Sequence, residues 1–439
     1  MNKKTNHRYR TVAAVIFAAL SLVSSAQGSR LSKTYNWEYA LQKGGKITID
    51  NYDCDIKIHT WENNEVKYEL SVQAEMNSPG EAGELDSYLK SLNFSESRNR
   101  VDINNRFWEK RVTMLNRKTI TLNNNTKLGY SELNMSAELW IPEGVLFALN
   151  SKYSDITMEE ITAAAVMNLY NDKVKGETFG NLEIEAKYST IELGNTGDLK
   201  AKLYDCNMQI AKSGVTFLET KYSTVNGRDA GDLIIDSYDD KISFESAHNT
   251  GFTAKYSDLR VGKVSDLILD TYNGSVTVES SNLVRITGKY TTFNTGYSTG
   301  CSIVSAYDCT MEYDEIANMR IDESKYTTYT IGKLNKSFKL SSGYDDRIVI
   351  KSAGSQFSLF SADGKYVKST LTIPGEMACR VKADAKYASL NIDEKLFKTR
   401  VKIVESSQTR FEAVKGEEKE DMPLIEVTGY DISLSIGND

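Results

Sequence analysis

The chain has 439 residues, 53 basic against 60 acidic side chains, 25 tyrosines against 14 phenylalanines and only 4 prolines. That length suffices for a large core or for two to three units, and a net charge of −7 argues against nucleic acid or an anionic membrane surface as the main partner. The tyrosine excess fits β-propensity on half-exposed strands, or a row of aromatic faces for sugar or peptide.

The first 26 residues read as a secretory signal peptide, with Lys3, Lys4, Arg8 and Arg10 as a basic start, Val12 to Val23 as an apolar stretch and Ser24-Ser25-Ala26 as a cleavage site. A mature chain from Gln27 then carries 49 basic and 60 acidic side chains, a net −11, and no stretch long enough to span a membrane. The expected location is outside the cytoplasm, in the periplasm or at the cell surface.

Residues 27–150 are expected to form a β-rich cap and lead-in. Strands are predicted over Lys46 to Ile58 and Glu65 to Val72, a short helix over Glu81 to Leu92 from the spacing of Leu85, Leu89 and Leu92, and an exposed polar loop over Lys118 to Tyr130. Leu133 to Ile141, followed by Pro142-Glu143-Gly144, leads into the next region.

Over residues 151–350 a four-residue phrase returns twelve times, starting at Lys152, Tyr170, Lys187, Tyr204, Lys221, Tyr238, Lys255, Tyr272, Lys289, Tyr307, Lys325 and Tyr344. Two spellings alternate, Lys-Tyr-Ser/Thr-Thr/Asp and Tyr-Asp/Asn with two variable residues. The residue after each phrase is apolar or aromatic, from Ile156 through Val225 to Ile348, and the one before is usually small. Period-two alternation resumes after the phrase one position out of phase, which a strand, a bend and a second strand explain. Self-similarity at a near-constant step, 18 residues, then seven times 17, then 18, 18 and 19, with period two predicts an all-β fold, a parallel β-solenoid of about 17-residue repeats whose coils bury their apolar faces only by stacking. Turn-rich stretches such as Gly227-Arg228-Asp229-Ala230-Gly231-Asp232 supply a second corner.

Sequence leaves open whether a coil holds one phrase or two. Charge favours one, because two would stack Lys187 between Lys152 and Lys221 at about 4.8 Å, whereas one sets each lysine between tyrosines with cation–π contact. Residues 351–439 read as irregular coils and a cap. Ser406 to Met422 is expected to be a charged loop, and Tyr430-Asp431-Ile432-Ser433-Leu434 to repeat the phrase a last time and close the stack.

The chemistry-bearing residues are few. His59 and His248 lack a nucleophile or metal-ligand partner at a recognisable spacing, and neither a P-loop nor a dinucleotide fingerprint occurs, so no cofactor and no metal are expected. Cys54, Cys206 and Cys309 share one place in the phrase, in distant coils, which predicts buried thiols in the bend rather than a disulfide framework. Asp205, Asp239, Asp308 and Asp345 form a carboxylate row, doubled by Asp240 and Asp346. Such a row suits calcium or glycoside cleavage, and equally suits bends, where Asp bonds its own backbone. Tyr188, Tyr222, Tyr256, Tyr290 and Tyr326 are the ligand-binding candidates, with either spelling's tyrosine free to point inward.

The exported start, Lys46-Ile47-Thr48-Ile49-Asp50-Asn51, the strand ending Ile141-Pro142-Glu143-Gly144 and the strand-bend-strand phrases together resemble the putative adhesin family of bacterial envelope proteins, in its β-solenoid members common in Bacteroidota. The resemblance spans about Leu31 to Asp439, with Tyr-Ser-Asp, Tyr-Ser-Thr or Tyr-Asp-Asp where that family usually carries Ser-Gly-Asp. It implies adhesion and transfers no functional residue. The expected function is a non-enzymatic, exported adhesion or scaffold module of the cell envelope, whose partner is a glycan or an envelope protein. A polysaccharide-binding or polysaccharide-degrading β-helix and a partner-binding protein of envelope signalling are the alternatives.

Overall fold

A computed structural model of the protein describes residues 29–97, 99–114 and 117–438. The expected signal peptide, residues 1–26, lies outside the described residues. The fold is all-β, a parallel β-solenoid with one short helix among the described residues, and it divides into two compact units that meet in sequence at Gly197 and Asp198.

In the first unit the strands Ala165–Tyr170 and Leu182–Lys187 lie parallel with Ala165 opposite Leu182 and Tyr170 opposite Lys187. In the second, Tyr204 lies opposite Lys221 and Lys221 opposite Tyr238. Neighbouring strands are therefore offset by 17 residues, so each coil holds one phrase and lysine alternates with tyrosine at its first place. The longer step into Tyr307 is absorbed as a bulge, with Ile286 opposite Ile303 but Thr287 opposite Ser305.

The phrase is the coil's sharp corner, and its second residue makes it so. Tyr222, Asp239, Tyr256 and Asn273 have φ of 56°, 57°, 59° and 55°, in the left-handed region, and the same place does so in every coil of the regular repeat. One left-handed residue ends the strand and turns the chain, so that the third residue of the phrase points into the core, as Ser223, Asp240 and Ser257 do. With Thr220 and Val225 also buried, the inward alternation runs 220, 223, 225. This is the one-position slip seen in the sequence. The opposite corner is gentler, and from Lys241 onward single strands such as Lys241–Lys255 and Asp258–Tyr272 run through it unbroken.

At the N-terminal end the phrase Tyr52-Asp53-Cys54 already makes a coil corner, with Asp53 at φ 51°. Lys46–Tyr52 pairs in parallel with Leu146–Lys152, and Asp55–Trp61 pairs with Asp155–Ile161 on one side and Lys127–Pro142 on the other. Glu65–Met76 then runs antiparallel to both Arg30–Ala40 and Lys127–Pro142. The helix covers Pro79–Lys90, starting at a Ser78 cap whose hydroxyl accepts from Glu81 N at 3.3 Å, and buries Ala82, Leu85 and Leu89. Leu92 falls beyond its end. The polar loop expected over Lys118 to Tyr130 is instead two strands, Arg117–Leu122 and Lys127–Pro142, because Ile120, Leu122 and Leu128 alternate inward despite the asparagines between them.

The C-terminal end departs furthest from expectation. Leu424–Tyr430 does not form the last rung. It inserts between Leu359–Lys365 and Cys379–Lys386, parallel to both. The outermost layer is an antiparallel hairpin of Phe397–Glu405 and Gln408–Lys415, the latter also pairing with Cys379–Lys386. Within the segment from Ser406 to Met422, expected to be a loop, Gln408–Lys415 is thus a strand, with Phe411 and Ala413 buried at period two, and residues 416–422 are a loop.

Candidate functional site: a tyrosine ladder along the bends

Both spellings of the phrase present their tyrosine outward, and the two sets converge on one file. In the second unit Tyr204, Tyr222, Tyr238, Tyr256, Tyr272, Tyr290, Tyr307, Tyr326 and Tyr344 follow one another with ring centroids 5.5 to 5.7 Å apart and planes 77° to 83° apart. The file goes on through Tyr366, Tyr430 and Tyr387, in the spatial order that the inserted strand imposes. In the first unit Tyr52, Tyr153, Tyr170 and Tyr188 make a file of the same geometry. Each edge-to-face contact is worth about 0.5–1.5 kcal/mol beyond area burial.

All five tyrosines singled out from sequence, Tyr188, Tyr222, Tyr256, Tyr290 and Tyr326, occupy the left-handed second place and are exposed. Sequence reasoning missed that in the second unit Tyr204, Tyr238, Tyr272, Tyr307 and Tyr344 belong to the same file as Tyr222, Tyr256, Tyr290 and Tyr326. The signal was present: the alternating spellings shift the tyrosine by one position but keep one in every coil. The expected cation–π contact is seen where Lys152 Nζ lies 5.7 Å from the Tyr170 ring centroid. Further along, the rings take one another's faces instead. Packing against neighbouring rings raises the Tyr222, Tyr290 and Tyr326 hydroxyls above the ordinary phenol value, and repulsion from flanking tyrosines and aspartates adds to it, so these groups are hydrogen-bond donors at neutral pH.

The carboxylate row splits into two unlike sets. Asp205, Asp239, Asp308 and Asp345 occupy the exposed second place at φ 51° to 57°, where Asp and Asn are among the non-glycine residues best suited to the left-handed region. They recur two coils apart, about 10 Å, or farther, so no two of them form a close pair. Asp172, Asp240 and Asp346 occupy the third place and face the core. Asp240 accepts from Thr220 and Ser237 hydroxyls at 2.7 Å each and from the backbone N–H of Ser223 at 2.6 Å and Tyr238 at 2.9 Å. Asp346 accepts from the Ser324 hydroxyl and Thr327 N at 2.9 Å and from Tyr344 N at 3.1 Å. Burial outweighs these donors and pushes the Asp172 and Asp346 carboxyls up to about 6.

The other sequence candidates have structural surroundings. Cys54, Cys206, Cys301, Cys309 and Cys379 are all buried as thiols, the first, second and fourth of them in bends. Burial pushes Cys54 and Cys301 up to about 12 and Cys379 up to about 11, which leaves little thiolate. His59 Nδ1 lies 2.8 Å from Glu159 and His248 Nδ1 3.0 Å from Asp232. A shallow depression of about 530 Å³ in the second unit, on the strands before the bend, is lined by Ile268, Leu283, Arg285, Gly300, Met319 and Arg320 among others.

No family model matches the sequence, and no curated protein matches it. Among solved structures, the chain is similar to a putative cell adhesion protein from Clostridium sporogenes at 9% identity, over 93% of this chain and 100% of that one, with a TM-score of 0.16. It is similar to a putative adhesin from Parabacteroides merdae at 12% identity, over 68% and 96%, with a TM-score of 0.24. A third, a putative lipid binding protein from Parabacteroides distasonis, shares 10% identity over 68% and 94%, with a TM-score of 0.21. At these scores the likenesses carry no argument about function, and the β-solenoid rests on this chain's own strand register.

Proposed function

We propose that the protein is an exported, non-enzymatic adhesion or scaffold module of a bacterial envelope, acting in the periplasm or at the cell surface, whose tyrosine ladder is the contact surface. The observation that carries this reading is the file of half-exposed aromatic rings, every second one of them set at a left-handed backbone position. A left-handed residue that is neither Gly, Asn nor Asp costs on the order of 1 kcal/mol, and Asp or Asn fills the same place in alternate coils. Edge-to-face contacts offset that cost but do not require the rings to stay open to solvent. Exposed aromatic surface repeated at every coil supplies contact area to a long partner at little entropic cost, since each ring has two rotatable bonds. The basic start of the sequence, its apolar stretch and its small-residue cleavage site support export.

Binding of purified protein to intact bacterial cells and to an immobilised glycan panel tests the proposal. Replacing Tyr222 and Tyr256 together by alanine is expected to weaken binding about tenfold or more, as loss of two aromatic anchors does, and to leave the β-rich circular dichroism unchanged. Undiminished binding contradicts the proposal. Release of oligosaccharides that Asp239→Ala or Asp345→Ala abolishes overturns its non-enzymatic part.

A further inference from the structure

We infer that the ladder of the second unit takes a linear, extended β-linked glycan lying along the file, one disaccharide for every two coils. The inference rests on the ladder being the contact surface. Within it the rings fall into two classes: Tyr222, Tyr256, Tyr290 and Tyr326 at the second place are 44–47% exposed, and Tyr204, Tyr238, Tyr272, Tyr307 and Tyr344 at the first place are 36–39% exposed. The more open rings recur every second coil, about 9.6 Å apart. Rings of one class share the second place of the phrase and the same left-handed backbone, φ 56° to 59°, so each is presented from an equivalent position two coils after the last. The presenting surface is therefore a row of equivalently placed phenols with a two-coil period, each in edge contact with rings of the other class.

The flanks have the same period. Lys221, Lys255, Lys289 and Lys325 stand at the first place of the coils that carry the open rings, and Asp239, Asn273, Asp308 and Asp345 at the second place of the coil that follows each of them. A partner along this ridge meets hydrogen-bond donors from one set and acceptors from the other, each every two coils. An extended peptide strand repeats every two residues, about 6.7 Å, and does not match. A polyproline helix repeats at about 9.3 Å and does match, but its prolines have no N–H to offer the aspartates, which it would desolvate without compensation. An extended β-linked glycan repeats after two sugars at close to the two-coil height. It presents flat C–H faces to the rings, and its hydroxyls both donate and accept.

Titration calorimetry of the full chain with cellobiose, cellotetraose and cellohexaose, with the maltose series of the same lengths and with a proline-rich peptide tests this. Affinity is expected to rise roughly tenfold for each added disaccharide in the β-linked series, since each engages another open ring within one molecule. The curled α-linked series is expected to show no such increments, and Tyr256→Ala to remove the increment from tetraose to hexaose. Equal affinities across lengths or linkages, or no binding of any glycan, overturns the inference. Binding of the proline-rich peptide alone, lost in the Tyr222→Ala/Tyr256→Ala variant, overturns the glycan but preserves the ladder as contact surface. Glycan binding that survives the double variant overturns both.

Discussion

Asp346→Ala is expected to lower the stability of the protein by on the order of 3 kcal/mol, because it removes the acceptor of a buried backbone N–H, a buried hydroxyl and a part-buried N–H, the buried groups costing about 1–3 kcal/mol each when unpaired. Its neighbour Asp345 gives the contrast. Asp345 is exposed at φ 53°, so Asp345→Gly is expected to change stability by less than about 1 kcal/mol. Urea unfolding followed by tyrosine and tryptophan fluorescence measures both. The same aspartate sets a pH dependence. Its carboxyl is held at about 6 in the fold against 3.8 ordinarily, so between those values the folded state binds the extra proton. The stabilisation from this group is fully present below the ordinary value and is lost as pH rises through about 6. Asp346→Asn is therefore expected to lose less stability at pH 7.5 than at pH 5. An equal loss at the two pH values contradicts the assignment.

Gly429→Val is expected to be the most damaging single change at the C-terminal end. Gly429 has φ 128°, a conformation nearly confined to glycine, and a Cβ there would run into the carbonyl oxygen of Gly364 on the adjacent strand. Gly343, Gly364 and Gly429 stand in register, so the inserted strand Leu424–Tyr430 approaches its neighbour closely just before the corner. Valine adds backbone strain to that clash, for a loss of more than about 3 kcal/mol. Limited proteolysis should then cut between residues 416 and 423 and release the C-terminal strands, whereas the wild type resists. Resistance equal to the wild type would show that the strand is not held as described.

Much of this architecture was legible in the chain. The fixed step, the apolar residue after each phrase and the small one before it specify stacked strands and a corner, and the spacing of Leu85 and Leu89 marked the helix. The direction of the third residue was not legible, because it depends on a single left-handed residue and not on any periodicity. That is why Asp239 and Asp240, adjacent and chemically identical, ended on opposite sides of the sheet surface. The tyrosine file was half legible. Counting each spelling separately hides that side chains from adjacent backbone positions converge on one line. Strand order at the C-terminal end was not readable from alternation at all, since Leu424–Tyr430 carries the same pattern as any other rung. Gly429, immediately before its tyrosine, is the one residue that marks the close approach.

Neighbouring strands are offset by one phrase, so that each coil contains 17 residues in the regular part of the second unit. Paired cysteines test it directly. Gln209 and Asn226 are register partners on exposed positions of adjacent coils, about 4.8 Å apart and within reach of a disulfide. Oxidation of the Gln209→Cys/Asn226→Cys variant is expected to give a near-complete intramolecular disulfide by mass spectrometry, whereas Gln209→Cys/Ser243→Cys, two coils apart at about 10 Å, stays reduced. The opposite result, bridging of 209 to 243 and not to 226, would mean two phrases per coil and contradict the account.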